Sequence, residues 1–177
     1  MPSGKSKRSP RFPVEVIVDT REQMPWSFSG ITAHKRDGEG LIEVSCRTGT
    51  LKSGDYSLEG FIDRIAIERK SIGDLFGTIG GGRARFEREL ERLAGMEFAA
   101  VVCEADWALI YNNPPRHTEL KPKTVFASVI AWQQRYPRIH WWMLPDRRFA
   151  EVATFRILER FYRESEREEK AKSKVSI

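Results

Sequence analysis

The chain has few cysteines, few histidines and no long apolar run, and each shortage removes a class of protein. Only two cysteines occur in 177 residues, Cys46 and Cys103. They make neither a disulfide framework nor a metal cluster, and each sits in an apolar or alternating stretch that reads as a buried free thiol. His34, His117 and His140 are scattered, so no zinc spacing exists. A membrane helix needs roughly 18 or more consecutive apolar residues, and none is present, so no membrane partner is expected. The basic opening MPSGKSKRSPRFP has no apolar stretch behind it, and no secretory signal is expected. The closing VSI offers no cysteine for lipidation. Internal repeats are absent. What remains is 40% hydrophobic and 31% charged, enough apolar material for one soluble domain with a core.

A one-signed charge is also missing from the body of the chain. The net charge of +5 invites a polyanion partner, but its distribution weakens that inference. Residues 1–13 carry four basic and no acidic groups, and residues 156–177 carry seven basic and five acidic. Residues 14–155 therefore hold 19 basic against 20 acidic groups. The excess lies at the ends, and function has to be argued from a site.

The expected organisation is a disordered basic leader over 1–13, a single domain over 14–162 and a charged, solvated tail over 163–177. Val14 to Val18 is a β-branched run ending at Asp19, and residues 43–48 alternate as a half-exposed strand. Leu51–Leu58 and Phe61–Lys70 read as two strands joined by a Glu59-Gly60 turn. Ser71 and Asp74 form an S-x-x-D capping box that opens a helix to Ile79, and Gly80–Gly82 break it. Phe86, Leu90 and Leu93 place an amphipathic helix over 83–95. Glu87, Glu89 and Glu91, with Arg85, Arg88 and Arg92, read as its solvated face. FAAVVC (98–103) is a strand covered on both faces. Helices are expected over 106–111, 123–136 and 146–162, with an aromatic strand over 139–144. A hairpin-linked group of strands followed by alternating helices and strands fits a mixed sheet flanked by helices, an α/β/α sandwich.

One set of polar residues carries chemistry. Glu68-Arg69-Lys70 ends the apolar strand Ile65-Ala66-Ile67, and alternation puts Ala66, Glu68 and Lys70 on one face. Charged groups at the end of a buried strand are costly unless paired or metal-bound. Asp55, at the turn into the neighbouring strand, can come alongside Glu68. Asp19 ends a third apolar strand and has Arg21 beside it. Carboxylates and a lysine at converging strand ends suit Mg²⁺, which takes hard oxygens and keeps several waters. Such a set fits phosphodiester cleavage of the restriction-endonuclease type, with an ammonium beside the nucleophilic water.

The pattern is longer than that short triad. VDTRE (18–22), GDY (54–56), ERKSIGDL (68–75) and GGR (81–83) occur in order, each at a strand end or loop. The run of GD, a gap, ERK, three residues and D resembles the signature of the XPF family of structure-specific endonucleases, over roughly residues 14–145. The resemblance implies a restriction-endonuclease-like fold and a Mg²⁺-dependent endonuclease, with Mn²⁺ as a substitute, acting on branched, flapped or junction DNA in repair or recombination. It implies Asp55 and Glu68 as metal ligands, aided by the Arg69 carbonyl, with Asp19 ligating through water or orienting the site and Glu22 assisting. Lys70 would position the attacking water. Arg21, Arg69 and Arg83 would touch DNA phosphates, and Asp74 would hold Lys70 or Arg69 by a salt bridge.

Two departures stand out. No tandem helix-hairpin-helix module is expected in the residues after the nuclease-like segment, and Glu87 stands where an amide is expected after the GGR arginine. The implied partner beyond DNA is a second nuclease domain, as a homodimer or heterodimer. Trp141-Trp142 and the helices over 123–136 and 146–162 are the candidate contacts. The implied compartment is the cytoplasm or nucleoid of a prokaryotic or phage-bearing cell, or a eukaryotic nucleus. Two alternatives are a less selective nuclease of this fold and a catalytically silent DNA-structure-binding subunit. The intact Asp19, Asp55, Glu68 and Lys70 argue against the silent one.

Overall fold

A computed structural model describes residues 9–175. Six strands form one mixed sheet: β1 (Val16–Asp19), β2 (Cys46–Gly49), β3 (Tyr56–Leu58), β4 (Ile65–Lys70), β5 (Phe98–Cys103) and β6 (Ile139–Met143). Their spatial order is β2-β1-β3-β4-β5-β6. β1 pairs with β3 and β3 with β4 in antiparallel fashion, while β1–β2, β4–β5 and β5–β6 are parallel. The helices are α1 (Ile72–Ile79), α2 (Arg83–Leu93), α3 (Trp107–Asn112), α4 (Pro122–Arg135) and α5 (Arg147–Val175). This is the mixed sheet with helices on both faces that the sequence predicts. Among the described residues no helix is long and apolar enough to cross a membrane.

Strand alternation sorts the apolar residues into two cores. Ala66, Ala99, Val101 and Cys103 face a layer formed by Leu75, Leu90, Val129 and Trp132 of α1, α2 and α4. Ile65, Ile67, Ala100 and Val102 face α5 and the segment between β1 and β2, through Phe28, Ile31, Phe155 and Leu158. β4 and β5 are apolar on both sides because both sides are covered.

Several boundaries differ from expectation, and each difference has a physical cause. Phe12 is buried against Phe155 and Tyr162, and Arg11 bridges to Glu43, so the packed body begins inside the expected leader. Residues 1–8 lie outside the described residues. α5 continues through the expected tail to Val175, braced by pairs such as Arg160–Glu164 and Lys170–Glu166 one turn apart. The expected strand over 61–70 starts at Ile65, because Phe61–Arg64 form turns. Cys103 is buried as expected, but Cys46 is exposed, since β2 is the sheet's edge. Trp141 stacks on Trp132 at 5.9 Å, whereas Trp142 is exposed.

Residues 20–45 hold a single 3₁₀ turn (Lys35–Asp37) yet are firmly tied to α5. Phe28, fully buried at a left-handed φ of 54°, donates its N–H to Glu151 at 2.6 Å. Arg148 donates to the carbonyls of Ser29 and Gly30, both at 2.8 Å. Removing the Glu151 carboxylate would orphan the buried Phe28 N–H. Glu151→Ala is therefore expected to lower unfolding stability by about 1–3 kcal/mol, read from urea denaturation. Lys52→Ala, which breaks an exposed pair with Asp63, should leave the denaturation midpoint where it is.

Candidate active site

The centre of the site is set by backbone. Gly54 has φ +72°, and a Cβ there would stand 3.0 Å from the Ile67 carbonyl oxygen and 3.2 Å from the Ala66 side chain. Only glycine fits so close to β4 in that conformation. The approach lets the Asp55 N–H donate to the Ile67 carbonyl at 2.8 Å, while the Asp55 carbonyl accepts from the Asp19 N–H at 2.8 Å. The Asp55 carboxylate then reaches across β4, where its Oδ2 accepts the Arg69 N–H at 2.8 Å.

Glu68 and Lys70 leave β4 on the same side, as alternation predicts. Lys70 Nζ donates to Glu68 Oε1 at 2.6 Å and lies 4.6 Å from the centre of the Phe86 ring. Asp55, Glu68 and Lys70 line one cleft of about 910 Å³. Burial pushes the Asp55 carboxyl up to about 8, and the neighbouring Glu68 charge adds to the rise, against the opposing Arg69 N–H. Burial likewise raises Glu68, with Lys70 opposing. Two carboxylates are thus held together with less positive charge than they need.

Among the described residues no group of three or more His, Cys, Asp or Glu side chains is arranged to hold a metal ion. The pair alone suits a hard divalent cation that keeps most of its water, the habit of Mg²⁺. Such a cation would offset the burial that raises both groups, and at Asp55 the repulsion from Glu68 as well.

The other expected residues fall into two sets. Arg21, Glu22 and Asp74 line the cleft with the triad. Asp19 does not: it is 1% exposed, and its oxygens are filled by the Arg21 N–H at 2.9 Å, Arg21 Nε at 2.6 Å and the Leu51 N–H at 2.7 Å. Burial alone would raise the Asp19 carboxyl, but these donors, the Arg21 side chain foremost, hold it below the usual range. Asp19 pins the Asp55 loop and is not turned toward a shared ion.

The Arg69 side chain lines the cleft wall with its donors engaged inward. Its guanidinium grips Glu104 through Nε at 2.7 Å and Nη2 at 3.0 Å, and its Nη1 meets Glu22 at 3.3 Å. The Trp26 ring lies 5.7 Å away. The fork expected to hold phosphate is already filled by carboxylates. Asp74 makes no ion pair with Lys70 or Arg69. It closes the capping box, accepting from Ser71 Oγ at 2.6 Å while its N–H donates to Ser71 Oγ at 3.1 Å. Arg83 points away from the cleft, bonded to Ser128 with its guanidinium 4.9 Å from the Trp132 ring centre.

Comparison with known proteins fits this geometry. The model of the ERCC4 domain matches residues 18–154. The chain belongs to the ERCC4-domain family. Two solved structures share the fold: XPF from Aeropyrum pernix, at 24% identity and TM-score 0.56, and XPF from Aeropyrum pernix in complex with DNA, at 22% and 0.54. Each match covers 88% of this chain but only 61% and 66% of those chains. No curated protein matches the sequence.

Within this ERCC4 domain, two cleft residues and one behind the cleft wall escape the sequence reading. Arg85, two positions along α2 from Arg83 and so about 200° around the helix, is exposed and lines the cleft in its place. Glu89, expected on a solvated face, accepts from Ser53 Oγ at 2.6 Å and the Gly54 N–H at 2.9 Å, and so fixes the turn before Asp55. Its position beside the Phe86–Leu90–Leu93 stripe is the signal for it. Glu104 accepts from Arg69, from Trp26 Nε1 at 2.9 Å and from Arg147 at 2.7 Å. It directly follows a buried apolar run, as Glu68 does, and that parallel could have found it.

The raised Asp55 carboxyl has a consequence for stability. Its value is about 8 in the fold against an ordinary 3.8, so between those values the folded chain holds a proton that the unfolded chain has released. That contribution weakens as pH rises through the window. In metal-free buffer, the melting temperature of the wild type should fall relative to Asp55→Asn as pH rises from about 5 to 8. Parallel profiles would contradict the assignment.

Proposed function

We propose that this chain is a Mg²⁺-dependent DNA endonuclease that hydrolyses phosphodiester bonds in branched, flapped or junction DNA, in repair or recombination. The observation that carries the proposal is the electrostatically strained Asp55–Glu68 pair with Lys70 bonded to it in an open cleft. Membership of the ERCC4-domain family supports it. So does the likeness to an XPF that was solved with DNA.

In this reading Asp55 and Glu68 hold the cation, with Mn²⁺ able to replace Mg²⁺. When bound, it supplies charge neutralisation for an in-line displacement and a more acidic water. Lys70, held by Glu68 and Phe86, donates from Nζ to orient the attacking water or the non-bridging phosphate oxygen. The water oxygen forms a bond to phosphorus and one P–O ester bond breaks, leaving a phosphate monoester and a hydroxyl. Arg21 and Arg85, both exposed at the cleft, hold flanking phosphates. Arg69 acts through its backbone N–H, which sets the Asp55 carboxylate, while Glu104 and Glu22 hold its side chain.

A panel of labelled flap, fork and duplex DNAs tests this. With Mg²⁺ the wild type should cut branched DNA, and Asp55→Asn or Glu68→Gln should lose at least about a hundredfold in single-turnover rate while still binding. Lys70→Ala should cut slowly with little change in affinity. Binding by the wild type without cleavage in Mg²⁺ or Mn²⁺ would reduce the chain to a DNA-binding subunit. Wild-type cutting by Asp55→Asn would remove the site.

We also propose that the protein acts as a dimer of this chain. Tyr111, Phe126 and Ile130 of α3 and α4 are 47%, 39% and 41% exposed, large apolar side chains left uncovered together. Phe126 packs edge-on against Trp107 at 5.0 Å, which keeps it presented outward. Light scattering at micromolar protein should give twice the 20.4 kDa protomer mass, and Phe126→Glu should return it to the protomer value. A monomeric wild type would exclude this contact.

A further inference from the structure

A second cavity, of about 680 Å³, opens between the 3₁₀ turn at Lys35–Asp37 and the middle of α5, and shares no residue with the cleft. It is lined by His34, Lys35, Arg36, Arg156, Arg160 and Arg163 around one carboxylate, Glu159. Glu159 is buried and takes His34 Nε2 at 3.3 Å, Arg156 at 2.7 Å and Arg163 at 2.9 Å. Arg163 also meets Asp37, and Arg160 pairs with Glu164 at 2.9 Å. These carboxylates leave two things unmet. Arg163 Nε is a buried donor with no acceptor. Lys35 and Arg36 are exposed on the rim with no ionic partner among the described residues. A buried cationic donor without an acceptor carries a desolvation cost, and an oxyanion in the cavity would remove it.

We propose that this cavity binds a backbone phosphate of a duplex arm whose scissile phosphate lies in the cleft. The proposal rests on the nuclease reading above. α5 connects the two places. At its start, Arg147 donates to the carbonyls of Met24 and Pro25, and Met24 lines the cleft. Arg156 and Arg163 follow nine and sixteen residues later, about 14 and 24 Å along the helix. At 3.4 Å per base pair that distance is roughly four to seven base pairs of duplex. Measured from the Arg147 end of the cleft, an arm of at least that length is needed to reach the cavity. Arg156, Arg160, Arg163 and Arg167 recur at helical spacing on this side of α5, interleaved with their partners Glu159 and Glu164, and the unpaired Lys35 and Arg36 give the rim its excess of positive charge. The cavity thus gives the domain a grip on DNA away from the scissile bond.

The test compares wild type, Lys35→Ser/Arg36→Ser and a charge-matched control, Lys121→Ser/Lys123→Ser, on flap DNAs. One DNA has an arm of about 20 base pairs beside the flap and the other an arm of about 3. Affinity is measured with Ca²⁺ over a series of salt concentrations, and cleavage with Mg²⁺ at saturating DNA. On the long arm, the Lys35/Arg36 variant should lower the log–log salt slope by close to 1, since the one duplex phosphate held in the cavity contributes about 0.9. On the short arm it should match the wild type, its saturated cleavage rate should be unchanged, and the control should behave as wild type throughout. Equal slopes for wild type and the Lys35/Arg36 variant on the long arm would overturn the proposal. An equal drop in the control would overturn it too, because the effect would then be net charge alone. A wild type that binds and cuts while the variant is indistinguishable removes only the cavity. A wild type that binds none of these DNAs removes the nuclease reading as well.

Discussion

Two carboxylates that repel each other in a poorly solvated cleft are the constraint on which the rest of the structure turns. Asp55 and Glu68 come from adjacent antiparallel strands, so sheet pairing brings them together whatever their charges prefer. The cost appears as the raised carboxyls of both residues. Lys70 offsets part of the cost for Glu68. Nothing comparable serves Asp55, whose one strong donor is a neutral backbone N–H. A fold that keeps such a pair needs stiff supports around it.

Those supports are recognisable residue by residue. Gly54 allows the tight approach to β4, Glu89 ties the turn from α2, and Asp19 ties it from β1. On the other side, the Arg69–Glu104–Arg147 chain joins the end of β4, the end of β5 and the start of α5. An arginine held bidentately by a buried carboxylate is a stiff strut. Removing Glu104 would leave the buried Arg69 charge without its main partner, a more costly change than losing an exposed pair. Arg85, and the part of the exposed Arg21 guanidinium not engaged by Asp19 and the Leu51 carbonyl, are what the cleft offers an anion.

Much of this was legible in the sequence because strand alternation and strand ends are short-range properties. The period of two placed Ala66, Glu68 and Lys70 on one face, and the S-x-x-D box placed α1. Helix phase was less legible: Arg83 and Arg85 look interchangeable until the register of α2 against Trp132 is known. Asp19 takes the orienting one of its two expected roles and Asp74 the capping one, whereas the phosphate contact of Arg69 and the salt bridge from Asp74 were misplaced because sequence gives nearness and not the direction of a side chain. All three prove to be engaged by local partners. The segment over 20–45 had no readable period, since Trp26, Phe28, Ile31 and Ile42 enter the core from irregular backbone. The C-terminal part of α5 read as a solvated tail because its helix is held by ion pairs on a charged surface, which mimic disorder in composition.

The central claim is that Asp55 and Glu68 form an incomplete cation site. Proton release on metal binding tests it most directly. Calorimetric titration of Mg²⁺ into the protein at about pH 7, in buffers of different ionisation enthalpy, counts the protons displaced, since carboxylates must ionise to ligate. The account predicts uptake of the metal with release of close to one proton per ion by the wild type, and loss of that release in Asp55→Asn. Binding with no proton release, or an equal release from Asp55→Asn, would contradict it.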